Sequence, residues 1–134
     1  MNQRSSVKAL VLGTGGASKA ICYALKKMDV QYKCVSRTGV LSYEQLDQSI
    51  LEAHQLIINT TPLGMHPQLT SKPSIPYHHL NSQHILYDLV YNPAMTQFLK
   101  LGSQRGAKII NGLEMLERQA EAAWCIWKDL PCHF

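Results

Sequence analysis

No stretch of these 134 residues stays apolar for the ~20 positions that a membrane-spanning helix needs. The opening Met1-Asn2-Gln3-Arg4-Ser5-Ser6 holds no apolar run ahead of the first candidate strand, which argues against a signal peptide. There is no low-complexity tract and no internal repeat. Four cysteines (Cys22, Cys34, Cys125, Cys132) make neither a C-x-x-C pair nor a disulfide-like framework, a usage that fits a reducing cytoplasm. Six histidines, at 54, 66, 78, 79, 84 and 133, show no helical i,i+4 pairing with a third ligand, so no metal site is expected. His78-His79 reads as a solvated loop pair. The net charge of +4 comes from scattered Lys and Arg, with no basic stripe interleaved with aromatics, and gives little reason to expect a nucleic-acid partner. What is left is a soluble composition, 46% apolar and 16% charged, of a length that suits one domain over 1–134.

The most informative stretch is Val7 to Met28. An apolar run (Val7, Ala9, Leu10, Val11, Leu12) meets Gly13-Thr14-Gly15-Gly16-Ala17-Ser18-Lys19, and an amphipathic segment follows. Strand, glycine turn and helix in that order open a dinucleotide-binding unit. Gly13 permits the tight turn, and the bare backbone at Gly15 lets a pyrophosphate approach. Ser18 is small enough for close helix–strand packing. The unpaired N–H groups at the helix start then face the phosphates. Ile21, Leu25 and Met28 fall at helical spacing and are expected to face the sheet.

Strand and helix alternate along the rest. Tyr32 to Ser36 reads as a second strand, Tyr43 to His54 as a helix with Leu46, Ile50 and Leu51 inward, and Leu56-Ile57-Ile58-Asn59 as a third strand, apolar as a doubly covered parallel strand should be. Pro62, Gly64, Pro67, Pro73 and Pro76 make the next segment a long loop, of the kind usually kept for function. His84 to Val90 is a fourth strand. Thr96 can cap a helix with Phe98, Leu99 and Leu101 inward, ended by Gly102 and Gly106. Ala107 to Ile110 is a fifth strand, and Asn111-Gly112 turns into a last helix to about Lys128. The class is α/β, doubly wound and mostly parallel, with an expected strand order 3-2-1-4-5 and a switch point between the first and fourth strands. Gly13 to Ser18, Thr60-Thr61, Leu89 to Tyr91 and Gly112 are expected to converge there.

The end of the second strand selects among nucleotides. A unit built for NAD carries an acid there to hold the ribose 2′-OH; this chain has Ser36-Arg37-Thr38. Arg37 can clasp a 2′-phosphate bidentately, with the two hydroxyls as further donors, which favours NADP.

Four motifs in order resemble the shikimate dehydrogenase family: Gly13-Thr14-Gly15-Gly16-Ala17-Ser18-Lys19-Ala20; Asn59-Thr60-Thr61-Pro62-Leu63-Gly64-Met65; Asp88-Leu89-Val90-Tyr91-Asn92-Pro93 with Thr96; and Asn111-Gly112-Leu113-Glu114-Met115-Leu116 with Gln119-Ala120. Ser36-Arg37-Thr38 is similar to the family's Asn-Arg-Thr. The resemblance implies a Rossmann-like domain of an NADP-dependent oxidoreductase that reduces 3-dehydroshikimate to shikimate. By position, it implies that Gly13, Thr14, Gly15, Gly16 and Ala17 cradle the pyrophosphate and that Ser36, Arg37 and Thr38 hold the 2′-phosphate. Thr60 and Thr61 would line the ribose side, and Leu89, Gly112 and Met115 would sit near the nicotinamide. Tyr91 and Gln119 would touch the substrate. Two departures are visible: no further basic residue occurs between Arg37 and Lys72, and the segment between the second and third strands is short for the family.

The family's catalytic Lys–Asp pair belongs to an N-terminal substrate domain, which would precede Val7. No lysine here sits in the corresponding motif, so no catalytic residue is assigned, and turnover is not expected from this chain without that partner domain. The last helix carries one apolar stripe (Leu113, Leu116, Ala120, Ala123, Trp124, Trp127) and a second side (Met115, Ala122, Ile126). The surplus fits either sheet packing or a docking surface for the other domain, which without it would favour a homodimer. A stand-alone NADP(H)-binding regulatory module and the cofactor domain of a quinate-type dehydrogenase are the alternatives.

Overall fold

The computed structural model describes residues 7–65 and 67–112. In chain order the elements are β1 (Lys8–Leu12), α1 (Gly16–Lys27), β2 (Gln31–Val35), α2 (Gln48–Ala53), β3 (Leu56–Asn59), β4 (Ile85–Asp88), α3 (Gln97–Gln104) and β5 (Lys108–Ile110). The five strands form one all-parallel sheet in the order β2-β1-β3-β4-β5. The α/β class stands, and the expected order 3-2-1-4-5 is corrected: the third strand lies between β1 and β4. The reason is polarity. Gln31-Tyr32-Lys33-Cys34-Val35 alternates and leaves Gln31, Lys33 and Cys34 exposed, as an edge strand allows. Leu56-Ile57-Ile58-Asn59 is buried almost throughout and belongs in the middle.

The reversal of direction that accompanies this order puts α1 on one face of the sheet and α2 and α3 on the other, because parallel crossovers are right-handed. Two cores follow, divided by the alternation of the strands. Ala9, Val11 and Ile58 pack with Ile21 and Leu25 of α1. On the other face, Leu10, Leu12, Val35, Ile57 and Leu86 pack with Leu51, Phe98 and Leu99, joined by Ile75 and Leu80 from the long β3–β4 connection. Tyr77 anchors that connection by donating its hydroxyl to the Pro73 carbonyl at 2.7 Å, with its ring edge-on to Phe98. Burial first, and then the nearby Asp88 charge, hold the Tyr77 phenol far above its ordinary pKa, so it remains a donor.

Several local expectations change. Ile21 and Leu25 are buried, but Met28 is 51% exposed, because α1 has ended and Met28 serves as its C-cap. The segment 43–54 is not one helix: Tyr43–Gln45 is a single 3-10 turn closed by a Ser42–Gln45 capping box, and Asp47 then caps α2 by accepting from the Ile50 N–H at 2.9 Å. Ahead of that turn, where Val40 to Tyr43 could by sequence open with a short strand, Leu41 forms an isolated parallel bridge to Val35. Leu101 is half-exposed. The last helix, with its apolar stripes, lies outside the described residues.

Gly102 does not end α3. It is buried within it, and only Gly106, at φ +88°, stands past the helix end, where a left-handed residue is needed. A Cβ at Gly102 would run into Leu86 Cδ2, and Leu86 is itself fully buried. In an exposed helix Gly→Ala gains about 1 kcal/mol. Gly102→Ala is instead expected to lower stability by about 1–3 kcal/mol, the cost of overpacking, as read from chemical denaturation. A stabilised variant would contradict the close α3–β4 contact.

Candidate functional site

The switch point of this sheet lies between β1 and β3, whose following segments leave in opposite directions, and not between the first and fourth strands as expected. The strand ends there are tied closely. Gly13 N–H donates to Val35 O at 2.8 Å, and Thr60 reaches Leu12 O twice, with its N–H at 2.9 Å and its hydroxyl at 2.6 Å. Gly13 has φ +110°, and a Cβ on it would lie 2.6 Å from Thr60 Oγ1 and 3.1 Å from Thr61 Cγ2. Gly13 is therefore the packing glycine of the crevice.

Gly15 and Gly16 are different. No described residue comes within 4 Å of a Cβ placed on either. Gly15 is the N-cap of the twelve-residue α1, no side chain among the described residues caps the helix, and its first turn holds no acid. The first-turn N–H groups therefore lack both intrahelical acceptors and a local anion. Ser18 is buried and donates its hydroxyl to Gly15 O at 2.7 Å, which holds the turn without filling it. A helix start that is positive, uncapped and approachable at backbone level suits a phosphate group.

The β3 and β4 ends are held by a buried network of Asn59, Asp88 and Thr96, to which motif position alone assigns no role. Asp88 is wholly buried. Its Oδ1 accepts from Asn59 Nδ2 at 3.1 Å and from the Val90 N–H at 3.0 Å; its Oδ2 accepts from Thr96 Oγ1 at 2.6 Å. Asn59 Oδ1 in turn accepts from the Thr61 N–H at 3.0 Å and the Thr61 hydroxyl at 2.6 Å. Thr96 caps α3 by accepting from Leu99 N–H at 3.3 Å. One carboxylate and one amide thus set the turn after β3, the turn after β4 and the start of α3. Burial pushes the Asp88 carboxyl above the usual range, opposed by the hydrogen bonds from Thr96, Val90 and Asn59. The chain does carry a signal for this: two apolar strands, Leu-Ile-Ile-Asn and Ile-Leu-Tyr-Asp, each end on a polar residue that has no water to meet.

Two clefts flank the glycine turn. One, of ≈ 480 Å³, is lined by Ala17, Thr60, Thr61, Leu89 and Tyr91 among others. Gly112 closes in beside it: its N–H donates to Val90 O at 3.2 Å, and a Cβ there would strike Leu89 O. The other cleft, of ≈ 590 Å³, is lined by Thr14, Ser36, Gly39 and Leu41 among others. Arg37 and Thr38 are exposed on the adjoining bend, and Ser36 N–H is fixed to Leu41 O at 3.1 Å. The structure therefore brings Ala17, Thr60, Thr61, Leu89, Tyr91 and Gly112 together, puts Thr14 and Ser36 in the second cleft, and leaves Arg37 and Thr38 at its rim. Met115 and Gln119 lie outside the described residues. A third cavity, of ≈ 540 Å³, opens beside Lys8, Gln31 and His54 at the opposite end of the strands, away from every strand-end turn. Burial lowers the pKa of His54 there, more than its hydrogen bond to Ile50 O raises it. Among the described residues no three His, Cys, Asp or Glu side chains group as a metal site, and no helix is long and apolar enough to cross a membrane.

No protein-family model matches the chain. Over 137 residues it is 36% identical to the shikimate dehydrogenase (NADP(+)) of Carboxydothermus hydrogenoformans, an alignment that takes in 90% of this chain and 49% of that protein. The crystal structure of shikimate 5-dehydrogenase from Thermus thermophilus in complex with NADP(H) and shikimate superposes with a TM-score of 0.71 at 28% identity, over 93% of this chain and 50% of the other. The quinate dehydrogenase of Corynebacterium glutamicum in complex with NAD, at 20% identity and a TM-score of 0.74 over 98% and 53% of the two chains, shares the fold. The chain spans about half the length of the curated relatives it matches. Within that span the likeness to shikimate dehydrogenases runs over nine tenths of the chain.

Proposed function

We propose that this chain is the NADP-holding half of a shikimate dehydrogenase-like oxidoreductase, which reduces 3-dehydroshikimate to shikimate. The observation that carries the reading is the uncapped start of α1, bare at Gly15 and Gly16, set beside the β1–β3 crevice. Backbone N–H groups of Gly16, Ala17 and Ser18 would hold the pyrophosphate. Ser36, Arg37 and Thr38 would take the 2′-phosphate, and Thr60 and Thr61 would line the ribose side. Leu89, Gly112 and Met115 would form the apolar wall at the nicotinamide, from which NADPH supplies hydride when bound. Tyr91, which is 59% exposed yet lines the cleft, would meet the substrate together with Gln119. The acid–base groups would come from the part of the relatives that this chain does not match, as near-attack catalysis needs cofactor, substrate and proton donor held together.

Titration with NADPH and NADH tests the reading. The native chain is expected to bind NADPH more tightly, and Arg37→Asp to lose about 10–100-fold in NADPH affinity, the worth of a charge-assisted pair replaced by like-charge repulsion. NADH binding should hold steady or improve. Unchanged NADPH affinity in the variant would remove Arg37 from the site, and binding of neither nucleotide would remove the reading.

A further inference from the structure

Two of the four cysteines, separate in sequence, are brought together by the fold. Cys22 stands on α1, and strand alternation turns Cys34 of β2 toward the same helix, opposite to Val35. Their sulfurs lie 3.4 Å apart. Both thiols are free; Cys34 is exposed and Cys22 half-buried. We propose that Cys22 and Cys34 are a thiol–disulfide exchange site, which takes a low-molecular-weight disulfide of the glutathione class as oxidant and closes to an intramolecular disulfide joining α1 to β2.

The two thiols divide the work by exposure. Exchange begins with a thiolate that can reach an incoming disulfide, which is the position of Cys34. Its sulfur attacks one sulfur of the oxidant; the S–S bond of the oxidant breaks and its other half leaves as a thiolate. The Cys22 thiol is pushed up to about 11, by burial first and then by its hydrogen bond with Cys34, so it is a poor attacker of anything in solution. Contact with Cys34 makes it the resolving thiol. Its sulfur attacks Cys34 Sγ and expels the second half of the oxidant as a thiolate, while its proton and the one already lost from Cys34 pass through solvent to the two released thiolates. Two protein thiols are oxidised, and one external disulfide is reduced to two thiols.

Closure needs the sulfurs to approach from 3.4 Å to a bond of about 2.05 Å. Among the described strands β2 is at the edge, paired to β1 on one side, and can follow that movement more readily than a central strand. Cys34 also lines the cleft that holds Thr14 and Ser36, so the crosslink would form within reach of the second strand end. The inference does not depend on which ligand that cleft takes.

The test uses the native chain, incubated with glutathione disulfide, alkylated and digested with trypsin. Cleavage after Lys19, Lys26, Lys33 and Arg37 releases Ala20–Lys26 and Cys34–Arg37. The expected product is these two peptides joined, lighter by two hydrogens than their sum and split again by dithiothreitol. The oxidised chain should melt several degrees above the reduced one, and Cys34→Ser should lose both the linked peptide and the shift. Only mixed disulfides with glutathione on Cys34, or crosslinks to Cys125 or Cys132 in place of the Cys22–Cys34 pair, would overturn the proposal.

Discussion

Asp88→Ala is expected to cost about 3–5 kcal/mol of stability, as a fall in the denaturation midpoint, with the turns after β3 and β4 released together. Three donors now end on this carboxylate: Asn59 Nδ2, the Val90 N–H and the Thr96 hydroxyl. Alanine removes every acceptor and leaves those groups buried without their partner, at about 1–3 kcal/mol each, less the relief of no longer burying a charge. Against a total of about 5–15 kcal/mol that is a large fraction. Asp88→Asn separates charge from connectivity, because it keeps an acceptor oxygen and places an amide opposite Thr96; it should cost only about 1–2 kcal/mol. It should also change the pH profile. The carboxyl pKa is raised in the fold, chiefly by burial, so the folded chain binds this proton more tightly than the unfolded one. That contribution is full below the ordinary carboxylate range and is lost as pH climbs through the raised value, a slope the asparagine variant should lack. An alanine variant as stable as the native chain would show that Asp88 does not hold the strand ends.

Gly13→Ala is the second large effect. The φ of +110° alone costs an L-residue about 1–2 kcal/mol. The new methyl group would stand 2.6 Å from Thr60 Oγ1, which itself donates to Leu12 O at 2.6 Å and cannot retreat without breaking that bond. A total loss of about 2–4 kcal/mol follows, with at least a roughly tenfold fall in NADPH affinity as the crevice is forced open. Gly15→Ala is the matching control. Its methyl group meets open space, so stability should stay within about 0.5 kcal/mol while affinity falls, because the methyl occupies the phosphate approach. Equal behaviour of the two variants would mean that packing and approach are not divided between these glycines.

Much of this is legible in the chain. The strand–turn–helix at Val7 to Met28, the Thr96 cap and the apolar third strand follow from local chemistry, and the structure places them accordingly. The strand order departs from expectation, although the polarity that decides it lies in plain sight. Gln31 and Lys33 mark an edge, and Ile57 and Ile58 mark a centre. Periodicity assigns each strand its faces, but neighbours are set by comparing strands with one another. The same holds for Gly102: within its own helix it reads as a stop, and only the facing Leu86 side chain explains it. As sequence, Asn59 and Asp88 are only motif letters; that they bond each other is a property of the β3–β4 pairing, at register Asn59↔Asp88. The Cys22–Cys34 contact likewise exists only once α1 lies on β2.

The position of β1, between a partner 31–35 and a partner 56–59, also governs how the chain emerges from a ribosome. After β2 has been made, β1 can pair on one side only. Its other edge, and the side chains of Leu10 and Leu12 beneath it, wait for β3. At ordinary elongation rates that interval is on the order of a few seconds, long compared with hairpin formation or collapse. Between the emergence of β2 and that of β3 the nascent chain is therefore expected to display an unpaired apolar strand edge. Synonymous changes are expected to lengthen that exposure, without altering a residue of the finished protein, when they slow decoding of the downstream codons that are being read while 36–55 leaves the exit tunnel.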